Sequence, residues 1–94
     1  MPRHEIILKP ASRDDLDRCR KYDATIIADT IESHLTFEPR KESRGRIKRL
    51  RGLQAARYRL AVGDFRVFYD VEELTVYVVR VLTKDQTKEF YAED

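Results

Sequence analysis

The chain has one cysteine, one methionine, no tryptophan, three glycines and three prolines among 94 residues. The lone cysteine, Cys19, excludes an internal disulfide and suits a reducing cytoplasm. Neither histidine, His4 or His34, is near it in sequence, so it reads as a small helix-face residue rather than a nucleophile. With so little glycine and proline there is no linker, repeat or low-complexity segment, and residues 1–94 read as one domain with one modest core. The longest apolar stretch, Val76 to Leu82, is broken by Arg80 and is far too short to span a membrane. The amino-terminal MPRHEIILKP has no long apolar run and no small-residue cleavage site, so no signal peptide is expected.

What the chain does have is charge. It is 38% charged and 41% hydrophobic, a globular rather than a disordered balance. The net charge of +2 hides a segregation. Residues 1–39 hold 6 Lys/Arg and 8 Asp/Glu, residues 40–66 hold 10 and 2, and residues 67–94 hold 3 and 7. The positive excess therefore sits in one stretch, which would attract nucleic acid or an acidic partner. Arg40 to Arg51, RKESRGRIKRLR, is its densest part and has a single acid, Glu42. Its apolar anchors are few, so it reads as a solvated basic loop. Arg44, Arg46, Lys48, Arg49 and Arg51 are its candidate polyanion contacts.

The loop leads into RYRLAVGDFRVFY, Arg57 to Tyr69, which has the period-2 pattern of a β-hairpin around a Gly63-Asp64 turn. Folding there pairs Val62 with Phe65, Leu60 with Val67 and Tyr58 with Tyr69 on one apolar face. The opposite face takes Arg57, Arg59, Ala61, Arg66, Phe68 and Asp70. Guanidinium groups gathered on one rigid ribbon repel each other unless anions sit among them. Two readings stand: a solvated face with Arg57 paired to Asp70, or a binding face for a polyanion or an acidic protein.

The remaining elements follow in order. His4 to Leu8 reads as a strand ended by Pro10. Ser12 and Asp15 resemble a capping box opening a helix over about residues 13–21. Asp23 caps a second helix, about residues 24–37, with Ile27, Ile31 and Leu35 as its inward stripe; Glu38-Pro39 stops it. Thr75 to Leu82 is the strongest strand signal, covered on both faces. Thr83 to Thr87 reads as a polar loop, Lys88 to Tyr91 as a short strand or exposed end, and residues 92–94 as a frayed terminus. The order β-α-α-β-β-β predicts an α+β domain: a mostly antiparallel four-stranded sheet with two N-terminal helices packed on one face, and the arginines on the other.

These residues resemble a family. KRLRG (Lys48 to Gly52), YRL (Tyr58 to Leu60), GDFRVFYDV (Gly63 to Val71) and VVRVL (Val78 to Leu82), in that order, look like the RelE/ParE superfamily of bacterial type II toxins. The similarity covers nearly the whole chain. It implies a RelE-like fold and a cognate antitoxin, with operator DNA contacted only through that antitoxin. In the RelE branch it further implies mRNA cleavage in the ribosomal A site by attack of a 2′-hydroxyl on the adjacent phosphate. That chemistry uses no metal or cofactor and takes place in the cytoplasm, away from any membrane. Carried over residue by residue, the basic positions are Arg57 and Arg59 before the turn, Arg66 after it, and Lys84 in the last loop when the alignment is anchored on the VVRVL strand; Tyr91 matches a near-terminal tyrosine that would stack on or orient a base. Two features depart from the pattern. Arginine is too basic to accept a proton readily, and the last loop has no histidine. The ParE branch, which poisons gyrase by protein contact, shares the fold, and so would a non-toxic antitoxin-binding component.

Overall fold

The computed structural model describes residues 1–53 and 55–93. Its elements are β1 (Glu5–Leu8), α1 (Pro10–Arg18), α2 (Lys21–Leu35), β2 (Ile47–Arg49), β3 (Tyr58–Val62), β4 (Phe65–Glu72), β5 (Thr75–Thr83), a 3₁₀ turn (Lys84–Gln86) and α3 (Thr87–Glu93). The strands form one sheet in the order β1-β5-β4-β3-β2. β1 runs parallel to β5 and the other pairings are antiparallel. The hairpin has the expected register, Tyr58 opposite Tyr69, Leu60 opposite Val67 and Val62 opposite Phe65. Gly63 turns it at φ +54, a left-handed conformation that glycine adopts without steric cost.

The helices cover one face. Ile27, Ile31 and Leu35, one turn apart on α2, pack with Leu60, Val67, Tyr69, Val76 and Val78. Tyr69 is fully buried, stacks on Tyr58 with centroids 5.4 Å apart, and donates its hydroxyl hydrogen to the Pro39 carbonyl at 2.7 Å. Both helices begin earlier than the sequence predicts. Pro10 occupies the first turn of α1, where its fixed φ suits a helix and its missing N–H is no loss. Ser12 Oγ donates back to the Lys9 carbonyl at 2.7 Å, and Asp15 is buried against β5 rather than serving a cap. α2 opens at Lys21 after Arg20 with no side-chain cap, which leaves Asp23 inside its first turn.

The other face differs more from expectation. The sheet has five strands, because part of the expected basic loop is β2. Ile47, buried opposite Leu60, anchors it. The polar loop after β5 is a 3₁₀ turn begun by a capping box, in which Gln86 N donates to Thr83 Oγ1 and Thr83 N to Gln86 Oε1. That geometry carries residues 87–93 into a helix instead of a strand, and Asp94, at the expected frayed end, lies outside the described residues. Phe90 lands on Phe68 with centroids 4.4 Å apart. Phe68 is therefore not a solvent-facing partner of the arginines. With Ala56, Leu82 and Phe90 it forms a second small core. Among the described residues no helix is long and apolar enough to cross a membrane.

Candidate nucleic-acid interface

Strand alternation places the cations of this second face in rows across the sheet. Lys48 lies opposite Arg59, and Arg59 opposite Phe68. The next row holds Ala61, Arg66 and Leu82. It continues to Arg46, whose carbonyl accepts from Ala61 N at 2.8 Å. On the other side of the Arg59 row, Leu50 N donates to the Arg57 carbonyl at 2.8 Å and Arg57 N to Asp70 Oδ1 at 2.7 Å. Arg57, Arg59 and Arg66 thus share a face, in rows about 7 Å apart along the strands.

Their surroundings differ. Arg59 is half-buried, and its Nε is enclosed with no hydrogen-bond partner among the described residues. Directly opposed residues of an antiparallel pair have Cβ atoms about 5 Å apart, so the Lys48 and Arg59 charges are neighbours. Two like charges at roughly 4 Å repel by about 1 kcal/mol in water and more near a protein surface; an anion between them reverses the sign. Arg57 is exposed, and only its backbone is tied to Asp70. Arg66 spends its Nη1 on its own turn, donating to the Gly63 and Phe65 carbonyls at 2.9 and 2.8 Å. Lys84 is exposed at the same tip, where its backbone N donates to the Asp64 carbonyl at 2.9 Å.

The basic stretch divides around the β2 edge. Arg49 turns to the helical side, where Nη1 donates to Tyr58 Oη at 3.1 Å and the guanidinium lies 5.6 Å from that ring. Arg46 is exposed, with Nη1 bonded to the Ala61 carbonyl at 3.2 Å. Lys48, Arg49, Leu50, Arg51, Glu42 and Tyr91 line a groove of about 690 Å³. A second depression beside it is lined by Arg44, Lys48, Arg59 and Glu42. Lys48 and Glu42 belong to both, so Lys48 is the cation common to the two depressions. Glu42 Oε1 is occupied with the Arg49 backbone N–H at 2.8 Å. Tyr91 arrives from α3, edge-on to Phe68 with centroids 5.7 Å apart.

The structure therefore gathers Lys48, Arg51, Arg59 and Tyr91, with Arg44 and Arg57 at the margin. It sets Arg66 and Lys84 apart at the hairpin tip and commits Arg49 to Tyr58. Sequence reasoning missed Glu42 as a groove residue; its position as the only acid of the basic stretch was the available signal. Neither histidine reaches the groove. His4 is buried with Nδ1 on the Thr36 carbonyl, and His34 is on α2. Cys19 is half-buried on the helical side; burial, then Asp23 and Asp15, push its thiol pKa up. Among the described residues no group of three or more His, Cys, Asp or Glu could hold a metal ion.

The groove sets cations and an aromatic side by side on a helix-backed sheet, the kinds of group that suit a phosphate chain and a base. The sequence model of the ParE toxin of type II toxin-antitoxin systems, parDE, matches residues 6–87. The chain belongs to this family, and is a toxin of the RelE/ParE superfamily. No curated protein sequence matches it significantly. Among solved structures it is similar to E. coli RelE, in the free state of an arginine-to-alanine mutant, with a TM-score of 0.75, 17% identity, and 97% of this chain and 93% of that one covered. The toxin-antitoxin complex RelBE2 of Mycobacterium tuberculosis gives 0.72 and 20%, covering 86% and 98%. The RelB-RelE complex of Methanococcus jannaschii gives 0.62 and 20%, covering 90% and 98%. At these identities the structural likeness establishes the fold.

Proposed function

We propose that the protein is a toxin that binds and cleaves mRNA on the ribosome, in the cytoplasm, and is neutralised by a cognate antitoxin. One observation carries the reading: the Lys48–Arg59 pair, with Arg59 Nε lacking a partner among the described residues, beside a groove that Tyr91 lines. Arg59, Arg51 and Arg57 meet phosphate charge, which grows on the way to the phosphorane. Tyr91 stacks on or orients a base. Guanidinium groups do not exchange protons near neutral pH, and ammonium and phenol groups there are donors, so the proton of the attacking 2′-hydroxyl passes to the Glu42 carboxylate as the P–O5′ bond breaks, and Lys48 or Tyr91 gives a proton to the leaving 5′-oxygen. Arg66 and Lys84 touch the RNA at the hairpin tip. An acidic amphipathic segment of the antitoxin covers the basic edge at β2 or packs beside α2, where a cavity of about 370 Å³ lined by Ile6, Leu8, Leu16, Ala28 and Ile31 takes apolar side chains.

Induced expression, with primer extension on cellular messages, tests the reading. New message ends that vanish with Arg59→Glu support it. Intact messages with a DNA-damage response point instead to gyrase, a reading favoured by the lack of an imidazole in the groove among the described residues. Harmless overexpression without antitoxin leaves a non-toxic antitoxin-binding component.

A further inference from the structure

Asp15 is on α1, on the opposite side of the sheet from the groove, and is 8% exposed. Its Oδ2 accepts from Arg80 Nε at 2.8 Å and from Val81 N at 2.9 Å, and its Oδ1 accepts from Arg80 Nη2 at 3.0 Å. All three bonds fall where β5 carries an extra residue. Phe68 pairs with Arg80 but Tyr69 pairs with Val78, so Val79 is left without an opposite number. An inserted residue reverses the alternation of the strand beyond it. Val76 and Val78 face the helices; past the insertion Val81 faces them, and Leu82 turns to the second core under α3. Val81 N points away from β4, to the side that β1 leaves when it turns into α1 at Pro10, and Asp15 supplies the acceptor that a neighbouring strand would.

The side of the sheet taken by the chain after β5 depends on that reversal. The capping box at Thr83 starts from the reversed strand end and launches α3 across Phe68. We propose that Asp15 is a positioning residue for the groove: its carboxylate pins the two residues after the insertion and thereby fixes the side on which α3 lays Phe90 and Tyr91. The functional half of this inference rests on the RNA-binding reading above. The structural half does not.

The test compares Asp15→Ala, which removes the acceptor, with Asp15→Asn, whose amide oxygen still accepts from Val81 N–H. Two readouts are taken well below each variant's Tm: NMR contacts between the Phe68 and Phe90 rings, and affinity for a short single-stranded RNA. The expected result is that Asp15→Ala loses the ring contacts and binds RNA at least tenfold more weakly. Contacts of Ile27 and Ile31 with Leu60 and Val76 should persist in it, and Asp15→Asn should resemble the parent in both readouts. A merely stabilising role would lower Tm and leave the ring contacts of the folded molecules in place, and that result overturns the proposal. If Asp15→Ala does not fold, Asp15→Ser, too short to reach Val81, takes its place under the same criteria. A parent protein that binds no RNA sinks the groove reading alone, while the ring contacts still decide the positioning role.

Discussion

The rings of Phe68 and Phe90 lie 4.4 Å apart at an interplanar angle of 39°, and this contact joins the C-terminal helix to the sheet. α3 has seven residues, too few to be stable as an isolated helix, so its order depends on that packing. Phe90→Ala should lower unfolding stability by about 2–3 kcal/mol, toward the low end of aromatic truncations because the second core that Phe90 joins is small. It should also free Tyr91 from the groove. Urea denaturation measures the first effect, and loss of Tyr91–Phe68 NMR contacts the second. A stability change under about 0.5 kcal/mol would mean that the helix is not held this way.

The parts of this architecture that could be read from the sequence are those set by local periodicity. Alternation from Tyr58 to Tyr69 around Gly63-Asp64 fixes both register and face, since a one-residue slip would put Leu60 and Val67 in water. β2 was hidden because three residues, two of them basic, carry no period; only pairing of Ile47 with Leu60 makes them a strand. α3 was hidden because TKEFYAE is stabilised by Phe68, about twenty residues away in sequence. The same long-range contact brings Tyr91 to the groove that Lys48 lines. Asp15 shows the limit most clearly. Three residues after a serine it has capping-box spacing, and only the fold reveals that β5 needs its carboxylate more.

Arg59 separates stability from function. Its Nε is buried with no partner among the described residues, a desolvation cost with no hydrogen bond to offset it. Arg59→Met should therefore leave stability unchanged or raise it by up to about 1 kcal/mol. RNA affinity should fall, and the slope of log affinity against log salt should shrink by about one, as for the loss of one phosphate contact. Lys48→Ala should shift the slope similarly. Fluorescence polarisation over a salt series reads both, and an unchanged slope in both variants would remove the pair from the interface.

Cys19 should react slowly. Burial first, and then the Asp23 and Asp15 carboxylates, raise its pKa, so its thiolate fraction at mildly alkaline pH is smaller than that of a free thiol. Its Sγ also points at the Asp15 carbonyl at 3.4 Å. Iodoacetamide should modify the native protein several-fold more slowly than the urea-unfolded chain, and Asp23→Asn should recover part of the difference. Equal rates in the native and unfolded states would show that the site is open.

Tyr69 sets an alkaline limit on the fold. Burial, and then the neighbouring Tyr58, raise its pKa far above the usual tyrosine value of about 10. The sign follows from linkage. A phenol whose folded pKa is raised contributes stability that is fully present below its unfolded pKa. Above about pH 10 the unfolded chain ionises while the native ring cannot, and that contribution falls by about 1.4 kcal/mol per pH unit. Tyr69→Phe removes the bond to the Pro39 carbonyl and should cost about 1 kcal/mol at neutral pH. It also removes the ionisable group, so its stability should decline less steeply above pH 10 and the two curves should converge. Urea unfolding from pH 7 to pH 11 makes the comparison, and parallel curves through that range would mean that the Tyr69 hydroxyl ionises as readily in the fold as outside it.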